Sequence, residues 1–235
     1  MLNRANKNYN SEVFDSLVRE LKRPLILMSK QAELNQSAPD KEHMELIRRT
    51  AEKALRLIDS YLLTAQSEYG QQLLPVESFG IGSVIYNVAE EIRPIAEKAN
   101  IDVVLNINDA LVETNKEGLR AAIWCLSEMA LDQASSEQEK ASIEINAKKT
   151  ADNVRISVLT KAMKVKNSDI RKAQKNLGKT HMALSSSSSE SGIRLAVAGL
   201  LGESLGTSLK AVKEKNTQGL GFNLSLSSQL QLGIG

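Results

Sequence analysis

Met44, Ile47, Ala51, Ala54, Ile58, Tyr61 and Ala65 follow one another at alternating steps of three and four residues. That is a heptad seam, and it predicts a long helix from about Asp40 to Ser67 with one apolar stripe along it. A helix of this kind is unstable until its stripe is covered. The chain offers a cover just upstream. Residues 11–34 place Phe14, Leu17, Leu21, Leu25, Met28 and Ala32 at helical spacing. Ser11 suits the cap of that helix, Glu12 and Asp15 suit its first turn, and Pro24 predicts a kink in its middle. The break at Asn35–Pro39 is short. Two long helices joined this way make an antiparallel hairpin. One hairpin cannot bury its seam alone, whereas two copies form a four-helix bundle, so the pattern predicts a homodimer.

The periodicity changes after Gln71–Gly80, which reads as a linker with Pro75 and Gly80. Ile81–Asn100 is predicted as an amphipathic helix containing Pro94, and Ile101–Ile107, rich in Val and Ile, as a strand. Lys116–Gln133 has Leu119, Ala122, Ile123, Leu126 and Ala130 on one helical face. Ser142–Ala147 and Asn153–Leu159 read as strands paired through the turn at Lys148–Asp152. Residues 161–184 read as an irregular basic loop, with Lys161, Lys164, Lys166, Arg171, Lys172, Lys175 and Lys179 against Asp169. The serine run Ser185–Ser189 reads as flexible linker. Ile193–Leu205 is predicted as a close-packed helix, and Ser208–Lys213 with Phe222–Leu226 as closing strands around a Gly-rich turn. The fold class is α+β: residues 1–70 form the helical hairpin, and 71–235 a mixed sheet covered on one face by helices, an α/β sandwich.

Composition narrows the function classes. The net charge of +2 in 235 residues gives no global attraction for nucleic acid, and no nucleic-acid partner is expected. No membrane segment is expected either, because no apolar run approaches the length that crosses a bilayer. The polar start, Met1 to Asn10, lacks the apolar centre of a signal peptide. A single cysteine, Cys125, excludes an internal disulfide and suits a reducing, cytoplasmic setting. His43 and His181 have no carboxylate at relay spacing and read as surface residues. Trp124 and Cys125 read as core.

The segment Arg19-Glu20-Leu21-Lys22-Arg23-Pro24-Leu25 resembles the H-E-L-R-x-P-L signature of sensor histidine kinases, and it lies in the first helix of a hairpin, as it does in that family. The order of elements after it resembles the family's ATP-binding fold, the Bergerat type shared with gyrase, Hsp90 and MutL. The resemblance covers about Phe14 to Leu226, and it implies ATP and magnesium as cofactors and a response-regulator receiver domain as partner.

The residues depart from that chemistry box by box. Arg19 stands where the family has its phosphoacceptor histidine, and a guanidinium has no lone pair to offer. Glu20 matches the family's base but has nothing to deprotonate. Arg23 replaces the Thr or Asn that positions water. The asparagine box N-L-x-x-N-A becomes Cys125-Leu126-Ser127-Glu128-Met129-Ala130. Met129 takes the place of the magnesium ligand, and a thioether is a poor ligand for a hard cation. Glu128 carries an oxygen but sits about a hundred degrees round the helix. In the D-x-G box, Thr160 replaces the adenine-binding aspartate and Ala162 the glycine. In the lid box, Gly192 remains and Arg194 replaces a glycine that lets backbone amides approach phosphate. Gly219 and Gly221 match the last glycine box, although a plain hairpin turn accounts for them equally.

The sequence therefore predicts a degenerate histidine-kinase core that holds neither ATP nor metal. It would act as a dimeric regulator, as a homodimer or a heterodimer with a related kinase, on a response regulator or kinase. The alternative is a divergent ATP-binding enzyme with an unusual pocket and acceptor.

Overall fold

A computed structural model of the chain describes residues 21–22, 24–33, 41–68, 75–136, 141–175 and 189–227. Residues 24–33 are helical (α1), and α2 runs from Lys41 to Glu68. Arg23, beside the expected kink, lies outside the described residues, as does the turn between the two helices. The other described residues form α3 (Ile81–Lys98), α4 (Lys116–Ala134), α5 (Asn167–Lys175), α6 (Ser189–Ser204) and seven strands.

The main sheet has the order β2-β4-β5-β7-β6, with β2 (Ile101–Ile107), β4 (Ala141–Lys149), β5 (Asn153–Thr160), β7 (Thr217–Ser225) and β6 (Lys210–Glu214). Only β2 and β4 pair in parallel, and α4 lies in the crossover that joins them. Helices α3, α4 and α6 cover one face, and α2 lies across α4 and α6 as an outer layer. The core between sheet and helices is almost wholly aliphatic: Ile81, Ile85, Ile92, Leu119, Ile123, Ile143, Ile145 and Ile156 are all fully enclosed. This is the α+β sandwich the sequence predicts.

Three elements differ from expectation. The supposed linker ends in a strand, β1 (Glu77–Gly80), which pairs antiparallel with β3 (Leu111–Thr114) in a separate small sheet. Four-residue strands are too short for alternation to reveal. Within the basic stretch, residues 167–175 are helical rather than irregular. Ile170 and Ala173, three apart, bury one face of α5 while Arg171 and Lys172 stay exposed, and Asp169 Oδ2 accepts from Lys166 N at 2.9 Å at its start. Residues 176–188 lie outside the described residues. Finally, the closing hairpin turns at Lys215–Asn216, with Lys215 at φ 46°, not at the glycines.

Gly219 and Gly221 instead sit inside β7, opposite Leu159 and Ser157 of β5. A Cβ on Gly219 would lie 1.9 Å from Val158 O, and one on Gly221 would lie 2.3 Å from Ile156 O. Two backbones approach where no side chain fits. Gly219→Ala is therefore expected to lower the unfolding free energy by about 1–3 kcal/mol, the usual cost of forcing an extra methyl into a packed interior. Urea denaturation of Gly219→Ala beside the unmodified protein measures the difference.

Candidate functional site

Helix α4 carries Cys125, Glu128 and Met129 of the residues singled out by sequence. Asn115 caps it, its Oδ1 accepting from Gly118 N at 2.6 Å while its Nδ2 donates to Pro75 O at 2.9 Å. With the sheet beneath and α2 above, α4 is buried nearly all round. Cys125 is enclosed, its Sγ 3.8 Å from Ser60 Oγ of α2. Burial, reinforced by the nearby Glu128 carboxylate, pushes the Cys125 thiol up to about 11, so it stays protonated at neutral pH. Met129 is a core residue in the same cluster as Leu195, Val197 and Leu201 of α6.

Thr160 ends β5 with no accessible surface, and its Oγ1 finds no hydrogen-bond partner among the described residues. A ligand reaches it only if the layers part. Ala162 is half-buried in the bend that follows. Gly192 lies within α6. Arg19, Glu20 and Arg23 lie outside the described residues. The structure thus brings Cys125, Met129 and Arg194 to one helical interface, puts Thr160 within the sheet-side interior, and sets Gly219 and Gly221 into a strand.

The charged residue on α6 has a larger part than the sequence suggests. Arg194 is buried, its guanidinium hydrogen-bonds to Asp132 Oδ2, and its Nε lies 3.5 Å from Glu128 Oε2. Glu128 and Asp132 are one turn apart on α4, so one guanidinium spans both. From the other side, Lys53 of α2 comes within 3.9 Å of Glu128 Oε1 and 3.8 Å of Asp132 Oδ1. Four charges from three helices meet here. Glu128 is only 5% exposed, and Oε1 has no hydrogen-bond partner among the described residues. Burial pushes its carboxyl above the usual range; Arg194, Lys53 and Arg56 pull it back, and Asp132 adds to the rise.

A second polar contact lies further along the same seam. Arg56 of α2 donates to Glu91 Oε2 of α3 at 2.5 Å, and Arg120 of α4 donates to Glu91 Oε1 at 2.5 Å. Burial raises the Glu91 carboxyl, but the two guanidinium hydrogen bonds outweigh it and hold it below its ordinary value. The Arg56 guanidinium also stacks 4.0 Å from the centre of the Trp124 ring. A cleft of about 660 Å³ opens beside it, lined by Asp59, Leu63, Glu117, Arg120 and Trp124 among others.

Sequence reasoning set Glu128 aside because it faces away from Met129. That direction is what puts it against Arg194 and Lys53. The missed signal was a buried-face acid on α4 with Asp132 four residues on; its partners lie too far along the chain for spacing to show them. Among the described residues there is no cluster of metal-ligating side chains, and no helix is long and apolar enough to cross a membrane.

No protein-family model matches the chain, and no curated protein matches it. Solved structures do. The Acinetobacter baumannii histidine kinase AdeS superposes with a TM-score of 0.63 at 14% identity, over 89% of this chain and 98% of that one. The histidine kinase ThkA, crystallised in complex with response regulator protein TrrA, gives 0.63 at 17% identity over 96% of this chain and 64% of that one. The fold is that of a histidine-kinase core. ShkA in complex with AMPPNP gives 0.57 at 14% identity over 92% of this chain and 46% of that one. At these identities the likeness is one of architecture, and the residues at each box are this chain's own.

The buried Glu128 leaves a signature in solution. Its carboxyl titrates higher folded than unfolded, so the folded state holds the proton to higher pH. Glu128 therefore makes stability fall as pH rises from the ordinary carboxylate range through its raised value, and has no further effect above that. Glu128→Gln is expected to remove this decline, which urea midpoints taken from pH 4.5 to 8 with and without the substitution will show.

Proposed function

We propose that this chain is a non-catalytic, dimeric regulator of two-component signalling, built on a histidine-kinase core that has given up nucleotide chemistry. The observation that carries the reading is Arg194. Where the family resemblance puts a phosphate-approaching glycine, this chain has a buried guanidinium bound to Asp132 and Glu128 of α4. The place for nucleotide phosphate and its cation is taken by a cation of the protein's own. Met129, at the metal position, is enclosed and offers only a thioether, and Thr160, at the adenine position, is enclosed and carries a hydroxyl in place of a carboxylate.

The dimeric part of the reading rests on α2. At about a hundred degrees per residue, Met44, Leu55 and Leu62 fall together on the face opposite Lys53, Arg56 and Ser60. All three are exposed apolar side chains, at 54%, 58% and 48%. Leu25, Ile26 and Leu27 of α1 are exposed as well. A second copy covering these stripes completes a four-helix bundle over residues 1–70, with residues 71–235 as the second domain; a related kinase with the same seam would do so as a heterodimer. Leu55→Asp with Leu62→Asp is expected to turn a dimer into a monomer in sedimentation equilibrium.

A response regulator is the partner this reading favours, since ThkA was crystallised with one. Arg19, Lys22 and Arg23 give the first helix a basic zone that suits the acidic pocket of a receiver domain. Reversal of Arg19 and Arg23 to Glu is expected to abolish regulator binding, and binding left intact would remove this part.

The second reading is a divergent ATP-binding enzyme. The unpartnered Thr160 Oγ1 and the AMPPNP bound to ShkA speak for it. Isothermal titration with ATP and magnesium separates the two. The regulator gives no binding heat at millimolar nucleotide, whereas micromolar affinity would establish the enzyme.

A further inference from the structure

The small net charge of the chain conceals an uneven distribution. Residues 1–140 carry sixteen Lys and Arg against twenty-two Asp and Glu, whereas residues 141–235 carry fourteen against six. The structure gathers part of that positive excess at one margin of the sheet. β6 is an end strand, paired with β7 alone. Helix α5 lies against it, and Ala211 N of β6 donates to Asn167 Oδ1 at 2.8 Å. Lys164 and Lys166 before α5, and Arg171 and Lys172 on it, are exposed. So are Lys210 and Lys213 of β6 and Lys215 at its turn. None of the seven makes an ion pair among the described residues. The two acids within these segments are engaged locally: Asp169 Oδ2 accepts from Lys166 N at 2.9 Å, and Glu214 pairs with Lys148. Like charges held together in this way repel one another, and an outside anion relieves the repulsion.

We propose that the α5–β6 margin is a binding surface for double-stranded nucleic acid, held through its phosphates. The choice among polyanions rests on what accompanies the cations. Every exposed side chain in residues 164–173 and 208–216 is polar. A protein interface is anchored by aromatic and apolar side chains at its centre, and a membrane-bound segment sinks apolar side chains into the lipid. This margin has neither. A phosphodiester backbone is bound by charge alone. The placement of the cations agrees. Lys210 and Lys213, three apart on β6, point to opposite faces of the sheet, so positive charge flanks the edge on both sides. A flat lipid surface meets one side of such a ridge, whereas the phosphate rows bordering a groove meet both. Lysines dominate, as point charges without the fork that reads a base, so binding is without sequence preference. The whole-chain balance, from which no such partner is expected, averages this margin away. The surface uses neither α2 nor α4, so it stands whether or not the chain is a non-catalytic regulator.

Fluorescence anisotropy of a labelled two-turn duplex DNA, titrated with the full-length protein, tests the assignment. At about 0.05 M NaCl, binding is expected at micromolar protein or below. With about five phosphate contacts, raising NaCl to about 0.2 M should weaken it by a few hundred-fold. Duplexes of unrelated sequence should bind alike, and a duplex RNA in a parallel titration shows which backbone is preferred; capture of either supports the surface. Lys210→Gln with Lys213→Gln, or Arg171→Gln with Lys172→Gln, is expected to weaken binding at least tenfold and to reduce the salt slope by about two. Lys30→Gln with Lys41→Gln, the same loss of charge on the hairpin, is expected to match the unmodified protein. No binding of either duplex at about 0.05 M NaCl overturns the proposal, as does an equal loss in the hairpin pair. Tighter capture by phosphatidylglycerol vesicles or by polyglutamate also overturns it, and assigns the margin to lipid or to an acidic protein. Should the variants fail to fold, lysine acetylation of the unmodified protein decides. Shielding of Lys172, Lys210 and Lys213 by the duplex supports the assignment, and equal labelling with and without it refutes it.

Discussion

An acid inside a packed helical layer must be neutralised, and in this protein the way Glu128 is neutralised organises everything above the sheet. Helix α4 has no free side: the sheet takes one, α3 and α6 flank it, and α2 lies on top. A carboxylate in such a place is costly unless cations reach it. Arg194 comes from α6 and Lys53 from α2, so the requirement of one side chain links three helices. A buried ion cluster of this kind adds little net stability compared with apolar packing. What it adds is a fixed relative position, because the helices that bring the cations are held to the helix that carries the acid.

On the proposed reading, the same interior shows how a site without its chemistry is filled. Loss of a metal ligand and a phosphate-binding glycine leaves space and unbalanced polarity, which the interior must resolve. Here Met129 fills space with an apolar side chain, and Arg194 supplies positive charge from within the chain. Thr160 is the part left unresolved, a hydroxyl with no accessible surface and no described partner. On that reading these side chains fill what was a pocket, and the Thr160 hydroxyl is the polar atom left at it.

The parts of the fold legible in the sequence are those with long, regular spacing. The stripe on α2, the face of α4 and the paired strands β4 and β5 all appear where periodicity puts them. Elements that escaped are short or polar. β1 and β3 have four residues each, and α5 shows only Ile170 and Ala173 as apolar contacts. The candidate positions were legible as departures from a pattern, but their surroundings were not. Glu128 and Arg194 are separated by a strand pair, a basic stretch and a serine run, and nothing in residue spacing links them. Gly219 and Gly221 match the last glycine box in sequence and also suit a hairpin turn; their need in the structure is steric, from carbonyls on β5 that no local sequence shows.

Those two glycines divide the molecule into parts that tolerate change unequally. Between β5 and β7 the spacing is set by main chain against main chain, and no alternative side chain can be traded there. The helical side has no such limit: side chains meet side chains, and a loss at one position can be met by a gain at another. A lineage free to abandon nucleotide chemistry would be expected to rewrite α4 and α6 while keeping the centre of the sheet. The retained glycine pair is then a record of architecture, and its presence in any related chain says nothing about whether that chain is an enzyme.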